Sequence, residues 1–184
     1  ANYHVKSGIY HHYRNEFKQA VDFFKKALRD EPKLTDSERT AATYYLTQTF
    51  VNSAERHERN GDLESAADEL ARAAEVSPDF PDILYRHGTA LEALGRPEEA
   101  IEQYRRAIKC NAGYLDAWIA LGFCLIGVDR GSEAAKAFSA ALELKMKRYR
   151  DPVQSGLRDL KAGRIEDARE CFRGAFRSSP QKFE

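Results

Sequence analysis

No run of apolar residues in this 184-residue chain approaches the roughly 20 that a membrane-crossing helix needs. No basic segment followed by an apolar one opens the chain, and no secretory signal is expected. The chain begins at Ala1 and holds a single methionine, Met146, which reads as a processed product or a piece of a longer protein. Cysteine is scarce: Cys110, Cys124 and Cys171 stand far apart, with no Cys-x-x-Cys. That spacing fits small buried side chains in a reducing compartment and gives no metal or redox site. There is no glycine-rich phosphate loop, no Gly-x-Ser-x-Gly and no His-Glu-x-x-His. No catalytic residue, cofactor or metal site is expected, and the chain does not read as an enzyme. Excess charge of either sign is missing too, since 29 Lys and Arg balance 29 Asp and Glu. Nucleic acid as the main partner needs a clustered positive field, so that class is disfavoured. The balance is local as well as global only in part: residues 1–34 sum to +3, residues 35–80 to −6 and residues 149–182 to +3. Such polarity steers a charged partner or favours self-association; solvated helix faces produce the same pattern.

What the chain does have is an internal period. Ala20, Ala66, Ala100, Ala134 and Ala168 recur at spacings of 46, 34, 34 and 34 along the chain. Seven residues after each comes a second alanine: Ala27, Ala73, Ala107, Ala141 and Ala175. Four residues after the first alanine stands a large apolar residue: Phe24, Leu70, Tyr104, Phe138 and Phe172. Pro32, Pro78 and Pro180 follow in three of the units. Gly61, Gly95 and Gly163 precede the first alanine by five residues, and Asn15 and Asp129 hold that place in the other two units. Each unit thus carries two stretches of helical periodicity around a turn residue. The alanines allow close helix approach, the aromatic fills the space between, and proline ends the second helix. One helix pair cannot bury its apolar face alone; stacked pairs can.

Further upstream, Leu84-x-x-His87-Gly88-x-x-Leu91 and Trp118-x-x-Leu121-Gly122-x-x-Leu125 complete the unit. With its period of 34, this pattern resembles the tetratricopeptide repeat. The likeness covers residues 1–34, 47–80, 81–114, 115–148 and 149–182, so residues 1–182 read as one all-α domain of five repeats. Departures are local: His4 and Pro152 replace the usual Trp, and Ser7, Ser53 and Ser155 the usual Leu. Residues 35–46 are an insertion. Thr35-x-x-Glu38 is a capping box, and no Gly or Pro follows until Gly61, which predicts one long helix over about 36–60. This extended first helix of the second repeat packs Tyr44, Tyr45 and Leu46 back on unit one, or offers them to a partner. Lys145-Met-Lys-Arg-Tyr-Arg150 is placed just after a helix end, where cations suit the dipole.

The resemblance implies a right-handed α-solenoid whose concave face, lined by the first helix of each unit, holds a peptide or helix of another protein. Projected on this sequence, unit one lines that groove with Asn2, Val5, Lys6, Ile9 and His12. Units two and three supply Asn52, Glu55, Arg59, Tyr85, Arg86 and Thr89, and unit four supplies Ile119, Ala120, Phe123 and Ile126. A clamp for a C-terminal carboxylate, known in the family, needs basic and amide residues where this chain has Val5, Ile9, Asn52, Asp82 and Arg86. An asparagine ladder is also missing, since its position reads Lys6, Asn52, Arg86, Ala120 and Gln154. The groove is polar in units two and three and apolar in unit four, where Ile119, Phe123 and Ile126 share a face or are covered by unit five. His11, His57 and His87 fall at stacking positions and read as half-buried. Phe176, at the end of the last unit, is left for further chain or another molecule to cover. The expected function is a protein-binding adaptor or scaffold, cytoplasmic by default and periplasmic as the alternative. The rival is a self-assembling structural scaffold, a homo-oligomer joined through the solenoid ends or the long helix. No membrane insertion is expected.

Overall fold

In the computed structural model, residues 2–29, 34–164, 166–168 and 170–171 are described. Pro32, Pro180, Phe172 and Phe176 lie outside them. The described elements are all helical: α1 (Tyr3–Tyr13), α2 (Phe17–Arg29), α3 (Asp36–Arg59), α4 (Leu63–Val76), α5 (Pro81–Ala93), α6 (Pro97–Cys110), α7 (Leu115–Gly127) and α8 (Gly131–Lys161). Each packs on the next, so the chain is a linear array of antiparallel pairs.

The turn inside each pair has one geometry, repeated five times. A residue in the left-handed region, Asn15, Gly61, Gly95, Asp129 or Gly163, has φ between 59° and 76°. The next amide N–H reaches back five residues to a carbonyl: Glu16 to His11, Asp62 to His57, Arg96 to Leu91, Arg130 to Leu125 and Arg164 to Asp159, at 2.8–3.0 Å. This closes the first helix and aims the second back along it. Glycine or a short polar residue is required because other side chains strain at positive φ.

Between the helices the packing pairs small with large. A Cβ added to Gly8 would stand 2.6 Å from the ring of Phe24, one on Gly88 2.6 Å from Tyr104, and one on Gly122 2.6 Å from Phe138. In unit two the large residue is the smaller Leu70, and the glycine is replaced by Ala54, fully buried. The flanking alanines Ala20, Ala27, Ala66, Ala73, Ala100 and Ala107 are also fully buried.

The long helix forms as its cap predicts. Glu38 N–H donates to Thr35 Oγ1, and the Glu38 carboxylate accepts from Thr35 N–H and from Asn2 N–H at 2.7 Å. The backbone donors hold that carboxyl below its usual range. Its first half packs on unit one: Leu46 is buried, and Tyr45 stacks on Phe24 at 6.2 Å. Tyr44 stays exposed, beside a hollow of about 340 Å³ walled by Arg39, Thr43, Thr47 and Phe80.

α8 departs from the expected layout. It runs unbroken for 31 residues across the boundary between units four and five, a rod of about 46 Å. No Gly, Pro or Asn lies between Phe138 and Asp151, Met146 stands where three other units have proline, and the helix continues through Pro152 and Gly156. The Lys145–Arg150 cluster therefore lies inside a helix and not after its end. Cysteine burial also differs from expectation, for only Cys124 is buried, while Cys110 is exposed and Cys171 is half-buried. Burial pushes the Cys124 thiol up to about 11.

The glycine–aromatic contact sets opposite signs for one substitution at two places. Gly88→Ala should lower stability by about 1–3 kcal/mol, because the methyl must displace the buried Tyr104 ring. Gly127→Ala, which meets nothing within 4 Å, should gain up to about 1 kcal/mol from helix propensity. Thermal or urea melts of both variants check this.

Candidate functional site

The inner face is built from the first helices α3, α5 and α7. Its α3 part carries Asn52, half-buried, and Glu55 and Arg59, both exposed. Arg86 of α5 does not project freely. Its guanidinium donates to Glu55 Oε1 at 2.9 Å and Glu58 Oε2 at 3.1 Å, both on α3. Arg86 thus joins two units, and its charge is already matched by the neighbouring helix. Thr89 Oγ1 is turned onto its own helix, donating to the Arg86 carbonyl at 2.8 Å. Tyr85 is half-buried between the rings of Tyr104 at 5.8 Å and Tyr114 at 5.3 Å. Burial raises its phenol pKa, with Asp116 and Glu92 adding to the effect.

The α7 part is different in kind. Ile119 and Ala120 are half-buried, whereas Phe123 is 62% and Ile126 55% exposed. Phe123 leans edge-on against Phe138 of α8 at 5.2 Å. Trp118 instead faces its own loop, donating Nε1–H to the Ala112 carbonyl at 3.0 Å. Large apolar side chains left this exposed on one helix are uncommon unless something covers them.

Two residues projected onto the groove do not line it. Val5 is buried in the core of units one and two. His12 is buried because the extended α3 packs over it. Thr49 Oγ1 donates to the Tyr45 carbonyl at 2.6 Å, so its oxygen accepts from His12 Nδ1–H at 2.9 Å. Desolvation lowers the His12 pKa. His87 is lowered too, first by burial and then by Arg106 and Arg96. His11, His57 and His87 are half-buried as expected; His11 stacks flat on Phe23 at 5.2 Å. Among the described residues, no three His, Cys, Asp or Glu gather as a metal site would require.

One set of contacts was not foreseen. Arg96 grips Glu99 with Nε and a terminal nitrogen at 2.7 and 2.8 Å and reaches Glu64 of the preceding unit at 3.4 Å. Arg130 repeats this with Glu133 at 2.8 and 2.9 Å and Glu98 at 3.2 Å. The signal was present as an Arg and a Glu recurring once per period, at Arg96 and Arg130 and at Glu64 and Glu98.

The Tetratricopeptide repeat family profile matches residues 51–115. Residues 51–115 are thus tetratricopeptide repeats. Among solved structures it is similar to MamA, with a TM-score of 0.52 and 20% identity over 92% of both chains. It is also similar to YrrB, described as a tetratricopeptide-repeat protein with an unusual peptide-binding site, with a TM-score of 0.50 and 22% identity over 97% of this chain and 86% of that one. Likenesses at this identity establish the fold. Curated relatives include superkiller complex protein 3 of Mus musculus, 28% identical over 65% of this chain and 7% of that protein. Response regulator aspartate phosphatase E of Bacillus subtilis is 26% identical over 96% of this chain and 51% of that protein. The chain spans from under a tenth to about half of these relatives' length. Its fold is the α-solenoid, with the first helix of the second repeat extended.

His12 makes stability depend on pH. Unfolded, it takes up a proton near the usual value of 6.5, while the folded chain resists protonation until lower pH. The unfolded state then binds more protons, so stability should fall as pH drops through about 6.5. His12→Asn should be less stable at neutral pH but lose less on going from about pH 7.5 to pH 5.5. Melting temperatures across that range measure both effects.

Proposed function

We propose that this chain is a non-enzymatic interaction module that takes a peptide or amphipathic helix of another protein along its inner face, as an adaptor in a larger assembly. The observation that carries the reading is the pair Phe123 and Ile126, apolar and more than half exposed beside Tyr85, Ile119 and Ala120. Burying such side chains against a partner is worth about 1.5–3 kcal/mol each. The charged stretch of Asn52, Glu55, Arg59 and Thr89 then sets register more than affinity. Arg86, held by Glu55 and Glu58, shapes this surface and keeps α3 and α5 in place; it is not a free anchor. The fold neighbours support a peptide ligand: besides YrrB, the second repeat domain of Spaghetti (RPAP3), with a TM-score of 0.50, was solved bound to an HSP90 peptide.

A second reading is favoured by Tyr3, Tyr10 and Tyr13, all exposed on α1. It is a scaffold in which copies associate through that face. Light scattering separates the two, since a mass independent of concentration overturns the scaffold.

The adaptor reading is tested with the chain as bait beside Phe123→Ser/Ile126→Ser. Both side chains are exposed, so helicity and melting should be unchanged. A protein retained by the wild type and lost from the double variant is the expected result. Equal retention by both would remove the inner face of unit four from the binding surface.

A further inference from the structure

The α7–α8 pair has an open side that the pairs before it lack. In each earlier unit, the large residue of the second helix lies under the first helix of the next unit. Phe24 is covered by Tyr45 of α3, Leu70 by Ala90 of α5 and Leu94 just after it, and Tyr104 by Leu121, Cys124 and Leu125 of α7. All three are 0% exposed. Phe138 holds the same place in unit four and is only half-buried. Phe123 leans on it, and Leu142, one turn further along α8, is 59% exposed. These side chains mark the place where another first helix would lie.

The described residues of the fifth unit do not fill that place. α8 carries residues 149–161 straight on from unit four. Their chemistry is also wrong for it. α5 has Ala90-Leu91 at the covering position and α7 has Cys124-Leu125, but one period further the chain has Arg158-Asp159. Arg158 is exposed, and Asp159 is taken by Arg164 Nε at 3.1 Å and Cys171 Sγ at 3.8 Å. Nor does α1 of a second copy suit the slot. Its first turn holds no acidic residue, and the charge at the slot calls for one.

Charge says what would suit it. A first helix starts beside the end of the second helix before it; only residues 111–114 separate α6 from α7. In the open slot, that start falls beside the stretch of α8 after Leu144, whose sequence holds Lys145, Lys147, Arg148 and Arg150 and no carboxylate between Glu143 and Asp151. The positive end of a helix dipole is repelled there unless its first turn is acidic. The first helices that lie over an earlier unit already follow this form, with Asp36 and Glu38 in α3, Asp82 in α5 and Asp116 in α7.

We propose that the Phe123–Phe138–Leu142 surface is a slot for an amphipathic helix of a partner protein that opens with acidic residues and completes the array as a missing first helix. This rests on the reading of the chain as an interaction module and narrows the partner. The helix would match α5 and α7 at 13 residues, with a small residue over Phe138 and a large apolar one after it.

The probe is a fluorescein-labelled, stapled amphipathic peptide of about 18 residues, long enough to hold a helix. It has Asp and Glu in its first turn and Ala-Leu at the covering position; a second probe has Lys in the first turn. Anisotropy is read with the whole 184-residue chain. The acidic probe should bind saturably, and Leu142→Glu should weaken it about tenfold or more, as loss of one leucine-sized contact implies. The Lys probe should bind about tenfold more weakly at low salt and lose that difference in about 0.5 M NaCl. Leu142 is exposed, so Leu142→Glu should keep its helicity by circular dichroism. No binding of the acidic probe, or equal binding by Leu142→Glu, overturns the slot. If Phe123→Ser weakens binding while Leu142→Glu does not, the slot falls and the inner-face reading stands; if neither matters, both fall. Equal affinity for the two probes overturns the acidic partner. A wild-type dimer in sedimentation that Leu142→Glu turns into monomer makes a second copy the occupant, and overturns the partner helix.

Discussion

The close approach of a glycine to an aromatic ring sets the spacing of this array. Gly8, Gly88 and Gly122 each lie against the ring of the residue 16 further on, with no room for a methyl group. That contact fixes how near the two helices of a unit come, and so where the second helix presents its other face. The next unit's first helix packs on that face. Unit two shows that volume matters more than residue type: a smaller Leu70 is matched by a larger Ala54. Interiors at crystal-like density allow such trades only in pairs. A repeat protein multiplies the demand, because an error in one unit displaces the surface on which its neighbour rests.

Polar contacts act on the same geometry from outside. The left-handed residue and the five-residue backbone return close each turn, and Arg96 and Arg130 tie that turn to the one before. These arginines are bidentate to a carboxylate three residues on, which orients them for the longer reach. Arg86 makes the same kind of link on the inner face through Glu55 and Glu58. A charged groove residue in such an array is thus often half structural. Its removal changes the shape of the groove as well as its charge.

Legibility from sequence followed the period. The alanines, the turn residues and the capped long helix could be placed because each is local or recurs once per repeat. The apolar character of α7 was legible for the same reason. What escaped was pairing across units at non-repeating places. His12 falls in the groove by the register of unit one; it is buried because α3 lies over it, through Tyr45 of the insertion and Thr49 just after it. Arg86 looked free because its partners Glu55 and Glu58 are 31 and 28 residues away on another helix. The path of α8 departs from the repeat because the helix continues past the boundary at 148 and through Pro152, which the repeat register places at the start of a new helix.

That unbroken helix decides where the array ends as a regular object. A solenoid grows by laying a first helix on the open face of the last unit. Here the chain continues as a rod past unit four and forms its fifth turn at Gly163, with Ala168 buried beyond it. The described residues of the fifth unit therefore pack on one another, as Asp159 with Arg164 and Cys171 shows, and Leu142 on the fourth unit's face stays exposed. The helix runs on through Pro152 and Gly156, so the two units are joined by helix and not by a loop. Exposed Phe123, Ile126 and Leu142 raise the energy of the isolated chain, since apolar area stays in water. A sequence that keeps them there, while burying the counterpart of Phe138 in every earlier unit, leaves apolar surface at this junction, where the repeat is interrupted.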